Sequence, residues 1–323
     1  MKKVLLFINT ISEHPKEDER DVLVQAEAVE RALKTLGYQH QRVYCSLDLE
    51  YVRKVIERES SPLVFNLVET LGGKGSLIHL LPAVLETLKI PFTGSGSYSL
   101  LVTTDKVRTK KILRENGVPT PDWIIPGDSR RPDPLKRYIV KPNWEDGSAG
   151  ITDQSIVRGD TFDFEDFSEN IMFRDYFLEE YINGREFNIT LLAGPDGPEV
   201  MPVAEMLYQD YPDDKPRILN YASKWDPSSF EYHKTIRTFC SGRDDTRIIE
   251  SMKKLSLQCW EMLEMSGYIR VDFRIDEDHL PYVLEVNANP CISPDAGFVA
   301  ACSEGGLDYT SMIERILKST IQE

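Results

Sequence analysis

The residues best suited to chemistry lie in two short stretches, Ile269-Arg270-Val271-Asp272-Phe273-Arg274-Ile275 and Tyr282-Val283-Leu284-Glu285-Val286-Asn287. The turn-forming residues 276–281 between them predict a hairpin. Side chains alternate across a strand, so Arg270 and Asp272 share a face while Ile269, Val271 and Phe273 take the other; Glu285 and Asn287 oppose Leu284 and Val286. Pairing the strands gathers Arg270, Asp272, Glu285 and Asn287 on one surface. Two carboxylates and an amide oxygen are hard ligands suited to Mg²⁺, which fills its other positions with water and phosphate oxygens, whereas zinc prefers nitrogen or sulfur. A half-exposed hairpin with an ordinary polar face carries the same alternation. What tips the reading toward a site is Asn287-Ala288-Asn289-Pro290, which abandons the alternation and sets small and polar residues where the strand should end.

A second candidate lies upstream. In Tyr138-Ile139-Val140-Lys141-Pro142 the lysine precedes a proline and is therefore held extended at a strand end. The turn Gly147-Ser148-Ala149-Gly150 that follows can present backbone N–H groups to phosphate oxygens. A solvated lysine beside a hairpin turn answers the same pattern. Gly94-Ser95-Gly96 lacks the third glycine of a dinucleotide fingerprint and Gly72-Gly73-Lys74-Gly75 lacks Walker A spacing, so each reads equally as a plain turn or a ligand loop.

The elements that must position these residues follow from periodicity. Residues 4–9 read as a strand, and 21–36 as a helix with Val22, Ala26, Val29, Leu33 and Leu36 on one stripe, closed by Gly37. Strands at 42–45, 63–68 and 90–93 alternate with helices at 49–58 and 76–88. This predicts a parallel sheet over roughly the first hundred residues, with ligand loops at 9–21, 69–75 and 94–97. Beyond a boundary near residue 102 come a helix at 104–116, an exposed connection at 126–134, strands at 138–141 and 177–182, and a hairpin around residues 194–198. Residues 208–229 read as a mobile or substrate-covering loop. Residues 245–265 form a helix with Ile248, Met252, Leu255, Cys259, Met262 and Leu263 inward.

Hydrophobic content of 41% and charged content of 28% over 323 residues are those of a soluble globular chain of two or three compact units. The apolar run after Met1 is too short for a signal peptide and no stretch approaches the length of a membrane span. Five scattered cysteines without a Cys-x-x-Cys pair argue against a disulfide framework or zinc site and point to a reducing cytoplasm. A formal charge of −15 disfavours nucleic-acid binding.

Six stretches occur in the order seen in D-alanine–D-alanine ligases. They are Thr104-Asp105-Lys106 with Lys110-Lys111; Val118-Pro119-Thr120-Pro121; Tyr138-Ile139-Val140-Lys141-Pro142; Phe177-Leu178-Glu179-Glu180-Tyr181-Ile182-Asn183-Gly184-Arg185-Glu186; Arg270-Val271-Asp272; and Glu285-Val286-Asn287-Ala288-Asn289-Pro290. Over nearly its whole length the chain resembles that branch of the ATP-grasp enzymes. The resemblance implies an α/β protein: an N-terminal Rossmann-like pre-ATP-grasp domain (1–102) with a parallel sheet, then a two-lobed ATP-grasp fold with antiparallel sheets, made of a lid subdomain (103–183) and a C-terminal subdomain carrying the magnesium site (184–323). It implies an ADP-forming ligase that joins a carboxylate to an amine through an acyl phosphate, with small-molecule substrates and a homodimeric assembly.

The same resemblance assigns roles. Lys106 and Lys141 would hold ATP phosphates, Ser148 would sit in the loop closing over them, Glu179 and the backbone near Ile182 would meet adenine, and Glu186 the ribose. Asp272, Glu285 and Asn287 would hold two magnesium ions, which manganese can replace. Lys224 would touch the transferred phosphate and Arg270 the tetrahedral oxyanion. The chain departs from the family at the substrate end. Glu69-Thr70 stands where a His-Gly pair is usual, Cys291 where glycine is usual, and Asp295-Ala296 where a His-Ser pair helps bind the acceptor carboxylate. Glu13 matches the amine-binding glutamate, with Glu19 as a rival. These departures predict substrates other than two D-alanines, and an acceptor that lacks an α-carboxylate or is cationic.

Overall fold

The computed structural model describes residues 3–59, 62–240 and 246–320. Near the start, Lys3–Asn9 (β1), Gln39–Cys45 (β2) and Leu63–Leu67 (β3) form a parallel sheet in the order β2-β1-β3. Helix α1 (Glu17–Thr35) starts earlier than its apolar stripe suggests, because Glu17, Asp18 and Glu19 suit the electropositive end of a helix. Its buried residues include Val22, Ala26, Val29 and Leu33, as the spacing requires. Helix α2 (Leu49–Glu57) is capped by Asp48, which accepts from the Tyr51 N–H. One face of β1 (Val4, Leu6, Ile8) packs on α1 and the other (Leu5, Phe7) on α2, so the sheet is buried on both sides.

Two expectations change here. The helix expected at 76–88 is a 3₁₀ turn, Gly75–Leu77, followed by α3 (Leu80–Thr87). Pro82 is tolerated only in a first helical turn, so the helix begins just ahead of it. Residues 90–93 make a single parallel bridge, Val64↔Phe92, not a fourth strand. Pro91 has no N–H to donate, and the Asn66 N–H goes to the Thr93 hydroxyl at 3.0 Å instead of to backbone. Gly94 packs against Gly267, where an added Cβ would come within 2.8 Å of Gly94, so this glycine segment is a backbone contact.

Helix α4 (Ser97–Thr104) leads to α5 (Lys106–Glu115), which Asp105 caps by accepting from the Arg108 N–H. A second sheet follows, antiparallel, in the order β4-β7-β5-β6: Trp123–Ile124 (β4), Arg137–Pro142 (β5), Ile156–Arg158 (β6) and Tyr176–Glu180 (β7), with α6 (Phe164–Glu169) beside it. The third sheet contains Arg185–Gly194 (β8), Gly197–Val200 (β9), Ala204–Tyr208 (β10), Thr235–Phe239 (β11), Tyr268–Ile275 (β12) and Pro281–Asn287 (β13). Its order is β11-β10-β8-β12-β13, with β9 on β8. Two short helices, α7 (Tyr221–Trp225) and α8 (Phe230–Lys234), lie between β10 and β11.

Helix α9 (Thr246–Met262) presses Met252 and Cys259 into this sheet; Asp245, expected to open it, lies outside the described residues. Beneath the sheet, Ile269, Val271, Phe273 and Ile275 of β12 meet Phe187, Ile189 and Leu191 of β8 in one core. Each such burial contributes about 1.5–3 kcal/mol, so the opposite, polar face of β12 is fixed in place. Helices α10 (Gly297–Glu304) and α11 (Tyr309–Thr320) close the chain against α1 and the first sheet. No helix of the described residues is long and apolar enough to cross a membrane.

Candidate active site

Strands β12 and β13 pair Arg270 with Asn287 and Asp272 with Glu285, as the alternation predicts, and then slip register between Asp272 and Phe273. This bulge corrects one expectation. Val283 pairs with Phe273 and Glu285 with Asp272, leaving Leu284 outside the ladder. Leu284 and Glu285 therefore both line the cleft between the two antiparallel sheets, while Val283 and Val286 are buried below.

At that point the polar side chains converge. Arg270 donates from Nε and Nη2 to the two oxygens of Asp272 at 2.7 and 2.8 Å, and Asn188 Nδ2 donates to Asp272 Oδ1 at 2.8 Å. Asn287 Nδ2 lies 3.4 Å from Asp272 and 3.3 Å from Glu285. Among the described residues no three His, Cys, Asp or Glu side chains cluster as a metal site; the third donor here is an amide. Two carboxylates with one amide fit a hard ion that keeps waters, and an amide turned through 180° presents oxygen in place of nitrogen.

Three lysines, Lys106, Lys141 and Lys224, and Arg270 act on these carboxylates, and a fourth lysine, Lys110, lies on Glu179. Lys106 Nζ, at the start of α5, is 2.8 Å from Asp146 and 3.9 Å from Glu285. Burial alone would lower its pKa, but Asp146 and Glu285 outweigh it and raise it. Glu285 is held down in the opposite way, burial being overcome by Lys106, Lys224 and Arg270. Burial raises Asp272 despite Arg270. Lys224, on α7, is lowered by burial and by Arg270 against the pull of Glu285 and Asp272. Lys141 Nζ is 2.5 Å from Glu179 Oε1, and Lys110 Nζ is 2.7 Å from Glu179 Oε2. The Glu179 carboxylate is thus taken up by two lysines, which outweigh burial and lower its pKa.

Away from the carboxylates the cleft becomes mixed in character. Ile139, Tyr181, Ile182, Ile218, Leu219 and Leu284 line it, together with Glu186. Arg274 donates to Glu186 at 2.7 Å and to the Gly184 carbonyl at 3.0 Å; the Tyr208 hydroxyl donates to Glu186 at 2.5 Å. At the end of β7 the Glu180 N–H and, one residue beyond, the Tyr181 N–H donate to the Asp122 and Arg137 carbonyls, so Ile182 follows that pairing. The glycine loop lies over one side. Ser148 has a φ of +64°, the left-handed region, and its hydroxyl donates to the Leu219 carbonyl at 2.7 Å, while Trp225 Nε1 donates to the Gly147 carbonyl at 3.0 Å. The stretch read as a covering loop does cover the cleft, tied down on the Ser148 loop. Including its open mouth the cleft measures about 800 Å³, within the range of small-molecule sites.

The family described as D-ala D-ala ligase C-terminus matches residues 137–318, more than half of the chain and all of the third sheet. The chain belongs to the D-Ala–D-Ala ligase-like family of ATP-grasp proteins. Among its relatives, a protein of Sinorhizobium fredii described only as uncharacterized is 30% identical over 90% of this chain and 86% of its own length. A D-alanine–D-alanine ligase of Synechococcus (strain JA-3-3Ab) is 28% identical over 94% and 90%. The crystal structure of the D-alanine–D-alanine ligase of Bacillus anthracis complexed with ATP superposes with a TM-score of 0.74 at 22% identity, covering 100% of this chain and 98% of that one. The fold expected from the resemblance, a parallel sheet followed by antiparallel sheets, is the one found.

Within this ATP-grasp chain, of the residues expected at the substrate end, Glu69 and Cys291 come together around Gln25 and Asp21, while Glu13 and Asp295 are exposed. Glu13 is exposed, and its rival Glu19 accepts from the Ser12 hydroxyl at 2.8 Å. Glu69 accepts from Gln25 Nε2 at 2.7 Å, and burial with Asp21, Asp146 and Asp18 nearby pushes its pKa up to about 7. The Cys291 thiol faces Asp21 Oδ2 at 3.0 Å; burial first, then Asp21 and Glu69, push it well up, so it stays a thiol. Asp295 is exposed, and its carbonyl lies 3.5 Å from Arg237 Nη1.

Sequence reasoning gave no role to Lys110, Asn188, Arg274 or Arg237. Three had a signal. Lys110 sits one helical turn from Lys106, Arg274 continues the alternation of Arg270 and Asp272, and Asn188 continues that of Glu186 on β8. Arg237 had none, because β11 mixes polar and apolar residues on both faces.

Proposed function

We propose that this protein is an ADP-forming carboxylate–amine ligase working through an acyl phosphate, with substrates other than two D-alanines. The observation that carries this reading is the convergence of Asp272, Glu285, Asn287 and Arg270 on one face of the β12–β13 hairpin, opposite Lys106, Lys141 and Lys224. A free carboxylate resists amide formation because oxide is a poor leaving group. Transfer of the ATP γ-phosphoryl to a carboxylate oxygen gives an acyl phosphate and ADP, and attack by a neutral amine then releases phosphate.

Each group has a part that follows from its surroundings. Lys106, held cationic by Asp146 and Glu285, and Lys141, 2.5 Å from Glu179, would position phosphate oxygens. Lys224, which is in no ion pair among the described residues, would approach the transferred phosphoryl. Ser148 and its neighbours would close over the phosphates through backbone N–H groups. The apolar wall at Ile139, Ile218 and Leu284 would take the adenine with Glu179 and Ile182 at its edge, and Glu186 would accept from ribose hydroxyls. Magnesium, or manganese in its place, would be held by Asp272, Glu285 and Asn287 and would offset charge on the phosphate oxygens. Arg270 would hydrogen-bond the oxyanion formed when the amine attacks. The division at residues 102 and 183, a homodimer and a cytoplasmic location belong to the same proposal.

A pairwise screen of carboxylic acids and amines for phosphate release tests it, with Lys141→Ala as the inactive control. Hydroxylamine in place of the amine should trap a hydroxamate, which only an acyl phosphate gives. Hydroxamate-free ATP turnover would replace this reading with phosphorylation or carboxylation. The D-alanine–D-alanine ligases among the relatives favour a second reading, a ligase of that specificity with a divergent pocket. Efficient ADP release with D-alanine as sole amino acid would establish it.

A further inference from the structure

On β11, Arg237 pairs across the ladder with Met206 of β10, and Met206 with Glu186 of β8. Directly opposed residues in antiparallel strands share a face, so Arg237 projects from the same face as Glu186, beside the cleft but outside the part that the nucleotide would fill. Its Nε–H is buried and, among the described residues, has no hydrogen-bond partner. Nη1 has only a long contact with the Asp295 carbonyl at 3.5 Å. The guanidinium lies against the first residue of α10, where a Cβ added to Gly297 would meet Nε at 3.6 Å. The N-cap of that helix, Ala296, supplies no side-chain hydrogen bond.

The charges around it are unbalanced. Burial and the nearby Arg270 both disfavour the charged form of Arg237, and Asp295 favours it less strongly. Arg270, itself a cation with its fork on Asp272, adds to the positive charge there and offers Arg237 no acceptor. A guanidinium with an unused buried donor, set against a helix start and in the field of another guanidinium, is arranged for an anion that the described residues do not supply.

We propose that Arg237 anchors a carboxylate that survives the reaction, carried by the acceptor amine, and so selects amino acids over simple amines. This rests on the ligase reading above and deepens it. It also reverses the expectation drawn from Asp295: Arg237 meets that residue through its carbonyl, and the cation lies on the cleft side. Arg237 touches no reacting atom in this account; it is a specificity residue.

Two measurements test it. The first compares amines that differ only by the carboxylate, glycine against methylamine and β-alanine against ethylamine, each with the best acid from the screen. The wild type should prefer the carboxylate-bearing member in kcat/KM. Arg237→Gln should lower that preference by roughly 10–100-fold, as expected for a lost charge-assisted pair, and Arg237→Lys should restore part of it. An unchanged preference in Arg237→Gln overturns the proposal. The second needs no turnover. In ¹⁵N-edited spectra of the wild type, the Arg237 Nε–H resonance, assigned by its loss in Arg237→Lys, should shift on titration with acetate at constant ionic strength. A resonance that does not move overturns the proposal even if ligation is confirmed. A shift with no turnover for any pair removes the ligase reading and leaves the anion site standing.

Discussion

The two ends of the cleft are built on opposite electrostatic plans. At the nucleotide end the buried carboxylates are answered from within the chain: Glu179 by Lys110 and Lys141, Glu186 by Arg274, Glu285 by Lys106, Asp272 by Arg270. At the substrate end the charges are left over. Glu69 has an amide for a partner, Arg237 has an unused donor, and Glu13 and Asp295 face solvent. A self-paired end can be stable and preorganised before a ligand arrives, and it constrains the residues that build it. A left-over end takes its complement from the substrate, so it is free to change with the substrate.

If that contrast holds, the largest effect on folding should come from the paired end. Lys110 is 1% and Glu179 2% exposed at the side chain, so Glu179→Gln strands a buried ammonium. Removing one member of such a pair costs about 3–5 kcal/mol, read by urea unfolding at neutral pH. Burial already brings Lys110 down to about 8 despite Glu179, and without Glu179 it falls further. A lysine whose folded pKa is depressed binds fewer protons folded than unfolded, so stability rises with pH above that value. The deficit of the variant should therefore shrink as the pH approaches about 8. Adding Lys110→Met should recover part of the loss. A deficit below about 1 kcal/mol would place the pair among exposed ion pairs and end the contrast.

For catalysis the sharpest probe is Arg270→Gln. Loss of an oxyanion donor lowers kcat by roughly 10²–10³, while the KM for ATP should move little if Arg270 acts on the acyl carbon. A change confined to the KM for ATP would relocate it to the nucleotide end.

These two ends also differ in how much of them the sequence disclosed. Arg270, Asp272, Glu285 and Asn287 sit two residues apart on adjacent strands, and strand periodicity alone carries side-chain direction; only the bulge at Leu284 was invisible, since nothing local marks it. Lys106 and Lys110 likewise follow from helical spacing. The first sheet was legible in its three full strands and failed at 90–93, where Pro91 and the Thr93 hydroxyl break the ladder. The substrate end draws on α1, the loop after β3, β11 and the loop before α10. No spacing links Gln25 to Glu69 or Arg237 to Asp295, because those contacts are made by the packing of α1 and α10 against the sheets. The departures at Glu69, Cys291 and Asp295 were visible, but their neighbours were not: Gln25 beside Glu69, Asp21 beside Cys291 and Arg237 beside the Asp295 carbonyl.

A smaller effect tests whether the left-over charges titrate with function. Glu69, raised to about 7, is mainly protonated below that pH and ionised above it. If it receives a cationic substrate group, kcat/KM should fall up to about tenfold per pH unit below 7, and Glu69→Gln should erase that inflection. Folding has the opposite sign: a raised carboxyl binds more protons folded than unfolded, so stability declines between about 4.5 and 7 in the wild type and not in the variant. The same inflection in Glu69→Gln would assign it to another group.

The smallest effect expected is that of Asp295→Asn. An exposed carboxylate interacts through high dielectric and is screened by salt, so its net worth is about 0–1 kcal/mol, or less than about fivefold in the KM of the acceptor. The direction should be a modest gain in affinity for a carboxylate-bearing amine, because one negative charge near Arg237 is removed, and the gain should fade as ionic strength rises. A gain beyond about tenfold that survives high salt would mean that the Asp295 carboxylate turns inward and competes for Arg237. The two ends would then be alike, each neutralised from within, and the substrate would have to displace a resident acid in order to bind.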